Sequence, residues 1–264
     1  MLYIAGNCFK SAIKVSHKEM SKNKIPIINY VKEFTCNENE TYNEYNRLLN
    51  FIDSRTMIAL KLSSLNFNEN LINKLIESYK KKNINILIDA ENSKYNNLYN
   101  QIVNRLILSH NDEDYRILKT YQMYRLDSFQ QLNNDINLFS KYNKNIGVKL
   151  VRGAYWNSEK NNGQLFTSKY DTNFNYNNAI KFLDNVHSYN ILATHNKESI
   201  ELGLKMKSKF KYAHLLDMNT KIYDKLAKTE DVHVYIPYGP FYDMVPYLLR
   251  RLYENMDMVK YMIK

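Results

Sequence analysis

The chain has 264 residues, 44% of them hydrophobic, and carries 37 basic against 27 acidic side chains for a formal net charge of +10. That length suits one domain with one large core, and the lysines are scattered among Asn and Tyr rather than gathered into a face that would bind nucleic acid. Two cysteines, Cys8 and Cys36, are too few for a disulfide framework or a four-ligand metal site, and no apolar run is long enough for a transmembrane segment, so a reduced, intracellular protein without metal is expected.

Residues 1–24 are expected to form an N-terminal extension. They carry Lys10, Lys14, Lys18, Lys22 and Lys24 with a single acid, Glu19. The segment lacks the apolar core of a secretory signal and the arginines of an organellar presequence, which leaves cytoplasm and mitochondrion both open. Eight short apolar or β-branched runs follow, at 25–31, 57–62, 84–88, 116–121, 146–151, 190–194, 211–216 and 232–236. Each ends in polar residues, and most precede enough chain for a helix. Strand and helix alternating in this way predict an α/β protein, a (β/α)8 TIM-type barrel forming a single domain over 25–264. Between runs, Leu71, Leu75, Ile76 and Tyr79 share a helical face that should cover the barrel. The stretch 156–173, rich in Asn, Ser and Lys, reads as a surface insertion or an active-site loop. After Pro240, the residues Val245, Leu248, Leu249 and Leu252 predict an eighth helix lying directly behind strand eight.

Parallel barrel strands share one C-terminal face, where such barrels keep their active sites. Lys61, Asp89, Gln122, Arg152, His195 and Tyr235 stand at or near the ends of six different runs. Each alone is what a solvated loop carries; six at one end of successive strands form a candidate site. Tyr247, Arg250, Arg251 and Glu254 are spaced along one helical face, and paired guanidinium groups suit a carboxylate because each donates two parallel hydrogen bonds. A solvated basic patch would carry the same arginines.

Three motifs resemble the proline dehydrogenase family: Leu150-Val151-Arg152-Gly153-Ala154-Tyr155-Trp156, Ala193-Thr194-His195-Asn196, and Tyr235-Ile236-Pro237-Tyr238-Gly239-Pro240 followed by Tyr247-Leu248-Leu249-Arg250-Arg251-Leu252-Tyr253-Glu254-Asn255. Lys61-Leu62-Ser63-Ser64, Ile88-Asp89-Ala90-Glu91 and Thr120-Tyr121-Gln122-Met123-Tyr124 support it in the same order. The form of the eighth-strand motif is closest to the eukaryotic-type branch. The resemblance implies FAD-dependent oxidation of L-proline to 1-pyrroline-5-carboxylate, the first step of proline catabolism, with a quinone at a membrane surface as electron acceptor. It implies that Lys61, Arg250 and Arg251 hold the substrate carboxylate, and that Leu215, Tyr235 and Tyr247 complete the substrate site. Asp89, Lys149 and Tyr155 become the catalytic set. Ala90, Gln122, Lys149, Val151, Arg152, Gly153, Ala154, Trp156, Thr194, His195 and Asn196 would line the FAD site. Tyr235 would crowd a ring hydroxyl, favouring proline over 4-hydroxyproline.

The chain departs from the family at Asp217, where glycine is usual and a buried carboxylate would be costly, and at Lys149, where bacterial relatives carry arginine. It also has little chain before strand one, which implies a more open rim. A catalytically degenerate barrel that binds proline or flavin, and a hydroxyproline dehydrogenase, remain the alternatives.

Overall fold

The structure is a computed structural model that describes residues 3–34 and 37–254, with side chains as far as Leu249. Cys36 and the side chains of Arg250, Arg251, Leu252 and Glu254 lie outside the described residues; Cys8 is a free thiol. Eight parallel strands close into a barrel in chain order: β1 (Lys24–Tyr30), β2 (Met57–Leu60), β3 (Ile86–Ile88), β4 (Ile117–Gln122), β5 (Ile146–Val151), β6 (Ser188–Ala193), β7 (Lys211–Leu215) and β8 (Val232–Tyr238). The β8–β1 pairing runs from Lys24 opposite Val232 to Tyr30 opposite Tyr238 and closes the ring. All eight apolar runs are strands. Each carries Ile, Leu or Val, and apolar side chains occupy both faces because both are buried, as parallel sheets require, with polar residues such as Lys119, Asn190, His214 and His233 buried among them.

Alternation along the strands decides what enters the barrel. Ile27, Met57, Ala59, Leu87, Leu118, Ile191 and Ala213 pack together inside. Their neighbours, among them Ile28, Ile58, Ile86, Val148, Leu150 and Val234, pack outward under the helices. Because successive side chains take opposite faces, the inward positions two residues further on belong to the C-terminal mouth: Lys61 after Ala59, and Asp89 after Leu87.

The outer layer comprises α1 (Phe9–Met20), α2 (Glu38–Leu49), α3 (Glu69–Lys80), α4 (Asn96–His110), α5 (Ser128–Lys141), a single turn α6 (Trp156–Glu159), α7 (Lys169–Leu183), α8 (Lys197–Lys205), α9 (Thr220–Leu226) and α10 (Phe241–Glu254). In α3 the buried face is Ile72, Leu75, Ile76 and Tyr79. Ile72 thus takes the place expected of Leu71, whose backbone N–H is instead capped by the Asn68 side chain at 3.3 Å. Four helix tyrosines reach the strand ends with their hydroxyls. Tyr45 donates to the Ala59 carbonyl at 2.8 Å, and Tyr99 meets those of Ile88 and Thr120 at 3.2 and 3.1 Å. Tyr176 donates to Leu150 at 3.2 Å and Tyr223 to Thr194. They satisfy carbonyls where the ladder splays, which buried backbone requires.

The helix after Pro240 is not behind strand eight. The seam between β8 and β1 is covered by α1, and buried Lys24 ties that helix to α9 through Glu19 at 3.2 Å and Asp224 at 2.6 Å. Instead α10 packs Met244 and Tyr247 on Ile4 and Val31, beyond the end of β1, and leaves Val245 and Leu249 exposed. The cause is the turn at Gly239, whose φ is +156°; a Cβ there would lie 2.8 Å from Val31 Cγ2. The chain before α1 adds to it, since the N–H of Ala5 donates to the Pro237 carbonyl at 2.9 Å. Among the described residues no helix is long and apolar enough to cross a membrane.

Candidate active site

Three strands that are not neighbours bring one cluster together at the mouth. Lys149, on β5, donates to Asp89 Oδ1 at 2.8 Å, and the Tyr235 hydroxyl, from β8, donates to Asp89 Oδ2. The Lys149 ammonium also lies 4.9 Å from the centre of the Tyr235 ring. Burial alone would raise the Asp89 pKa, but the charges of Lys149 and Lys61 and the two hydrogen bonds outweigh it, and the carboxyl is held below its ordinary range. Asp89 is therefore ionised at neutral pH.

Lys61 stands beside this cluster, buried, with its ammonium on the carboxylate of Glu33. Burial works against its charge, yet Tyr155, Glu33, Glu91 and Asp89 around it raise its pKa above the lysine range. Glu91 behaves in the opposite way. Its burial is the larger effect and lifts its pKa, although the Ser63 N–H donates to it at 2.9 Å. Glu33 and Glu91 are site residues that sequence reasoning did not assign. Glu33 lies in the irregular connection after β1, where no periodicity marks it; Glu91 carried a signal, since it belongs to the Ile88-Asp89-Ala90-Glu91 motif.

A second group faces the mouth from β5 and β6. Arg152 follows β5 and donates to Asn173 Oδ1 at 2.7 Å, to the Thr194 hydroxyl and to Ser199 Oγ at 3.0 Å, with its guanidinium carbon 4.4 Å from the centre of the Tyr176 ring. All three hydrogen-bond partners are neutral, and burial pulls its pKa down. His195 is half-buried, its Nδ1 has no hydrogen-bond partner among the described residues, and burial followed by the Arg152 charge pushes its pKa down to about 4. The Asn196 side chain opens α8 by accepting from the Ser199 N–H at 2.9 Å, and its own N–H donates to the Thr194 hydroxyl at 3.1 Å. Gln122, at the end of β4, accepts from the Ala154 N–H at 3.3 Å and donates to the Glu91 carbonyl at 2.9 Å.

The remaining expected residues fall around these two groups. Leu215 ends β7 and Val151 ends β5, both half-buried; Ala90, beside Asp89, is half-buried too. Tyr155 is buried and precedes α6, which half-buried Trp156 opens. Tyr247 is buried beneath α10. Gly153 has φ +146°, and a Cβ on it would lie 2.4 Å from the Tyr124 ring, so that position admits only glycine. Asp217 is exposed, with φ +59°. Its backbone takes the left-handed conformation that glycine adopts freely, and its carboxylate is not buried. The stretch 156–173 belongs to the mouth: Glu159 is buried within it and Leu165 bridges to Arg125 beside β4.

A closed parallel barrel whose ionised and hydrogen-bonded side chains converge at the strand ends defines a (β/α)8 protein with its site at the C-terminal mouth. A family model described as proline dehydrogenase matches residues 12–263, and the chain belongs to the proline dehydrogenase family. It is 29% identical over 211 residues to proline dehydrogenase 1, mitochondrial, of Dictyostelium discoideum, a match covering 70% of this chain and 37% of that protein. It is 31% identical over 200 residues to the hydroxyproline dehydrogenase of Xenopus laevis, covering 67% of this chain and 43% of that one. The chain thus spans about two fifths of the length of these relatives. In fold it is similar to proline utilization A from Bdellovibrio bacteriovorus inactivated by N-propargylglycine, with a TM-score of 0.88 and 18% identity over 96% of this chain and 32% of that one.

Proposed function

We propose that the protein oxidises L-proline to 1-pyrroline-5-carboxylate with bound FAD. The observation that carries this is the pairing of two unlike groups at one mouth: an ionised Asp89 fixed by Lys149 and Tyr235, and a half-buried Arg152 whose hydrogen-bond partners among the described residues are neutral. A half-buried cation hydrogen-bonded to neutral groups among the described residues suits the pyrophosphate of a dinucleotide, and the His195 Nδ1, without a hydrogen-bond partner among those residues, is a further polar atom that such a group would satisfy. Ala154 adds only a methyl group beside Gly153, whose own Cβ position is taken by the Tyr124 ring. The residues present fit FAD. Arg152, Thr194, His195, Gln122 and the backbone of 152–154 would hold it, with Ala90, Val151, Trp156 and Asn196 around them. When bound, FAD supplies the acceptor for the hydride that leaves the ring carbon next to the amine.

The chain's own residues then bind and orient. Lys61 exchanges the Glu33 carboxylate for that of the substrate, with Arg250 and Arg251 as the guanidinium donors. Asp89, ionised and fixed in place, attracts the substrate amine, while Lys149 and Tyr235 keep it from turning away. Tyr155, Leu215, Tyr235 and Tyr247 wall the ring. Orientation of this kind supplies much of the rate in reactions where the cofactor carries the chemistry. Tyr235 is held at its hydroxyl by Asp89 and at its ring by Lys149, so it cannot swing aside for a ring hydroxyl. Proline is therefore the substrate in place of 4-hydroxyproline. The electron acceptor is a quinone at a membrane surface, by resemblance to the family, and the protein works inside the cell.

Anaerobic addition of L-proline to the purified, FAD-loaded protein tests this. Bleaching of the oxidised-flavin absorption is the expected result, with 4-hydroxyproline at least about tenfold less effective, as loss of a fitted contact in a closed pocket implies. A flavin that stays oxidised in proline would reduce the protein to a binding barrel.

A further inference from the structure

Glu159 is a carboxylate at the mouth with only 2% of its surface exposed, and neither substrate nor flavin chemistry calls for it. It sits at the end of α6 and accepts two hydrogen bonds. One comes from the Ser93 N–H, in the connection after β3, and one from the Tyr124 hydroxyl, in the connection after β4, each at 2.5 Å. Three consecutive loops of the mouth thus meet on one carboxylate. Tyr124 is the arm that carries this contact to the cofactor side. Its N–H donates to the Arg152 carbonyl at 2.7 Å, its carbonyl accepts from Phe166 at 2.8 Å, and its ring lies where a Cβ on Gly153 would be. Burial, and then the hydrogen bond to Glu159, raise the phenol's pKa, in keeping with a permanent donor.

We propose that Glu159 and Tyr124 are a positioning pair that sets the Arg152-Gly153-Ala154 backbone for the flavin. This rests on the FAD reading above. Neither residue touches the reacting atoms. With the hydroxyl anchored, the ring cannot rotate off Gly153, and the peptide groups on either side of that glycine keep one orientation. Gly153 needs such an external support because its own backbone is the most permissive in the segment. Without the anchor, the cost of ordering that backbone falls on the flavin when it binds.

The test is FAD titration of flavin-free protein, followed by fluorescence, for wild type, Tyr124→Phe, Glu159→Gln and the double variant. Tyr124→Phe keeps the ring on Gly153 and removes only the anchor. Loss of one hydrogen bond to a charged group corresponds to a rise of about tenfold in the FAD Kd. The double variant is expected to be no worse than the weaker single, because the two residues act as one unit. After saturation with FAD, KM for proline is expected to remain within about twofold of wild type, since Lys61 and Asp89 are not part of the network, whereas general loosening of the mouth would move both. Variants that bind FAD as tightly as wild type would overturn the pair while leaving the flavin reading intact. A wild-type protein that takes up no FAD ends both. If Glu159→Gln does not fold, Tyr124→Phe alone decides.

Discussion

Replacing Asp89 by Asn keeps an acceptor of the same size and removes the charge that faces Lys149 at 2.8 Å. The two side chains are 11% and 8% exposed, so neither charge can be returned to water by a small movement. Breaking a buried ion pair from one side costs about 3–5 kcal/mol, because the partner is left charged and uncompensated. The Asn oxygen still accepts a hydrogen bond, which recovers about 1 kcal/mol. A net loss of about 2–4 kcal/mol follows, and a Tm lowered by roughly 5–15 °C at 2–4 °C per kcal/mol. Adding Lys149→Met removes the stranded charge, so the double variant is expected to be more stable than Asp89→Asn alone. Urea unfolding of the four proteins in this cycle measures the coupling, expected at about 2 kcal/mol. The pH dependence has a fixed sign. The folded Asp89 pKa is lowered, so its stabilisation is present above the unfolded carboxyl value and is lost as pH falls through the folded one. The gap between wild type and Asp89→Asn should therefore close in acid. Additivity of the two substitutions within about 0.5 kcal/mol, or a gap unchanged into strong acid, would refute the cluster as drawn.

Other consequences can be checked in the same preparation. Asp217→Gly relieves a left-handed residue and is expected to raise stability by up to about 1 kcal/mol, with flavin bleaching by proline unchanged; a loss of bleaching would show that the carboxylate does serve the site. His214 and His233 are buried and His195 is half-buried, all three neutral, their pKa values pushed down to about 3, 3 and 4 chiefly by burial. Since the unfolded chain protonates them near pH 6.5 and the folded chain does not, stability should be full above that pH and fall below it. Each costs up to about 2 kcal/mol by pH 5, read as a falling urea midpoint, and a midpoint flat from pH 7 to 5 would contradict it.

Much of the architecture could be read from residue types. The eight strands each carry Ile, Leu or Val, and each lies within two residues of the run that announces it. The mouth residues follow from the same alternation, which sends Lys61 and Asp89 inward once Ala59 and Leu87 are inside. What escaped depends on contacts between distant segments. No local pattern says that α1 will fill the seam between β8 and β1, or that Gly239 will turn the chain across Val31 and carry α10 away from that seam. Glu33 and Glu159 escaped for another reason. Both lie in connections where an acid is ordinarily solvated, and only the partners, Lys61 for one and Ser93 with Tyr124 for the other, distinguish them. Asp217 looked like damage to the site because glycine is usual there. The position has φ +59°, which glycine adopts freely, and the Asp217 carboxylate is exposed.

The four helix phenols bonded to strand carbonyls serve β2 through β6 in unbroken succession. That arc of the wall is pinned to its outer layer by polar contacts that a sliding helix would have to break, whereas apolar packing alone tolerates small displacements. Breathing of the molecule is therefore expected to be lopsided, with slow amide exchange along the pinned crescent and at α1, which Lys24 ties down, and faster exchange where α10 rests on Ile4 and Val31 through apolar contacts. A solute would then come and go on the side that carries Glu33 and Tyr247, and the Arg152 side would stay closed behind it.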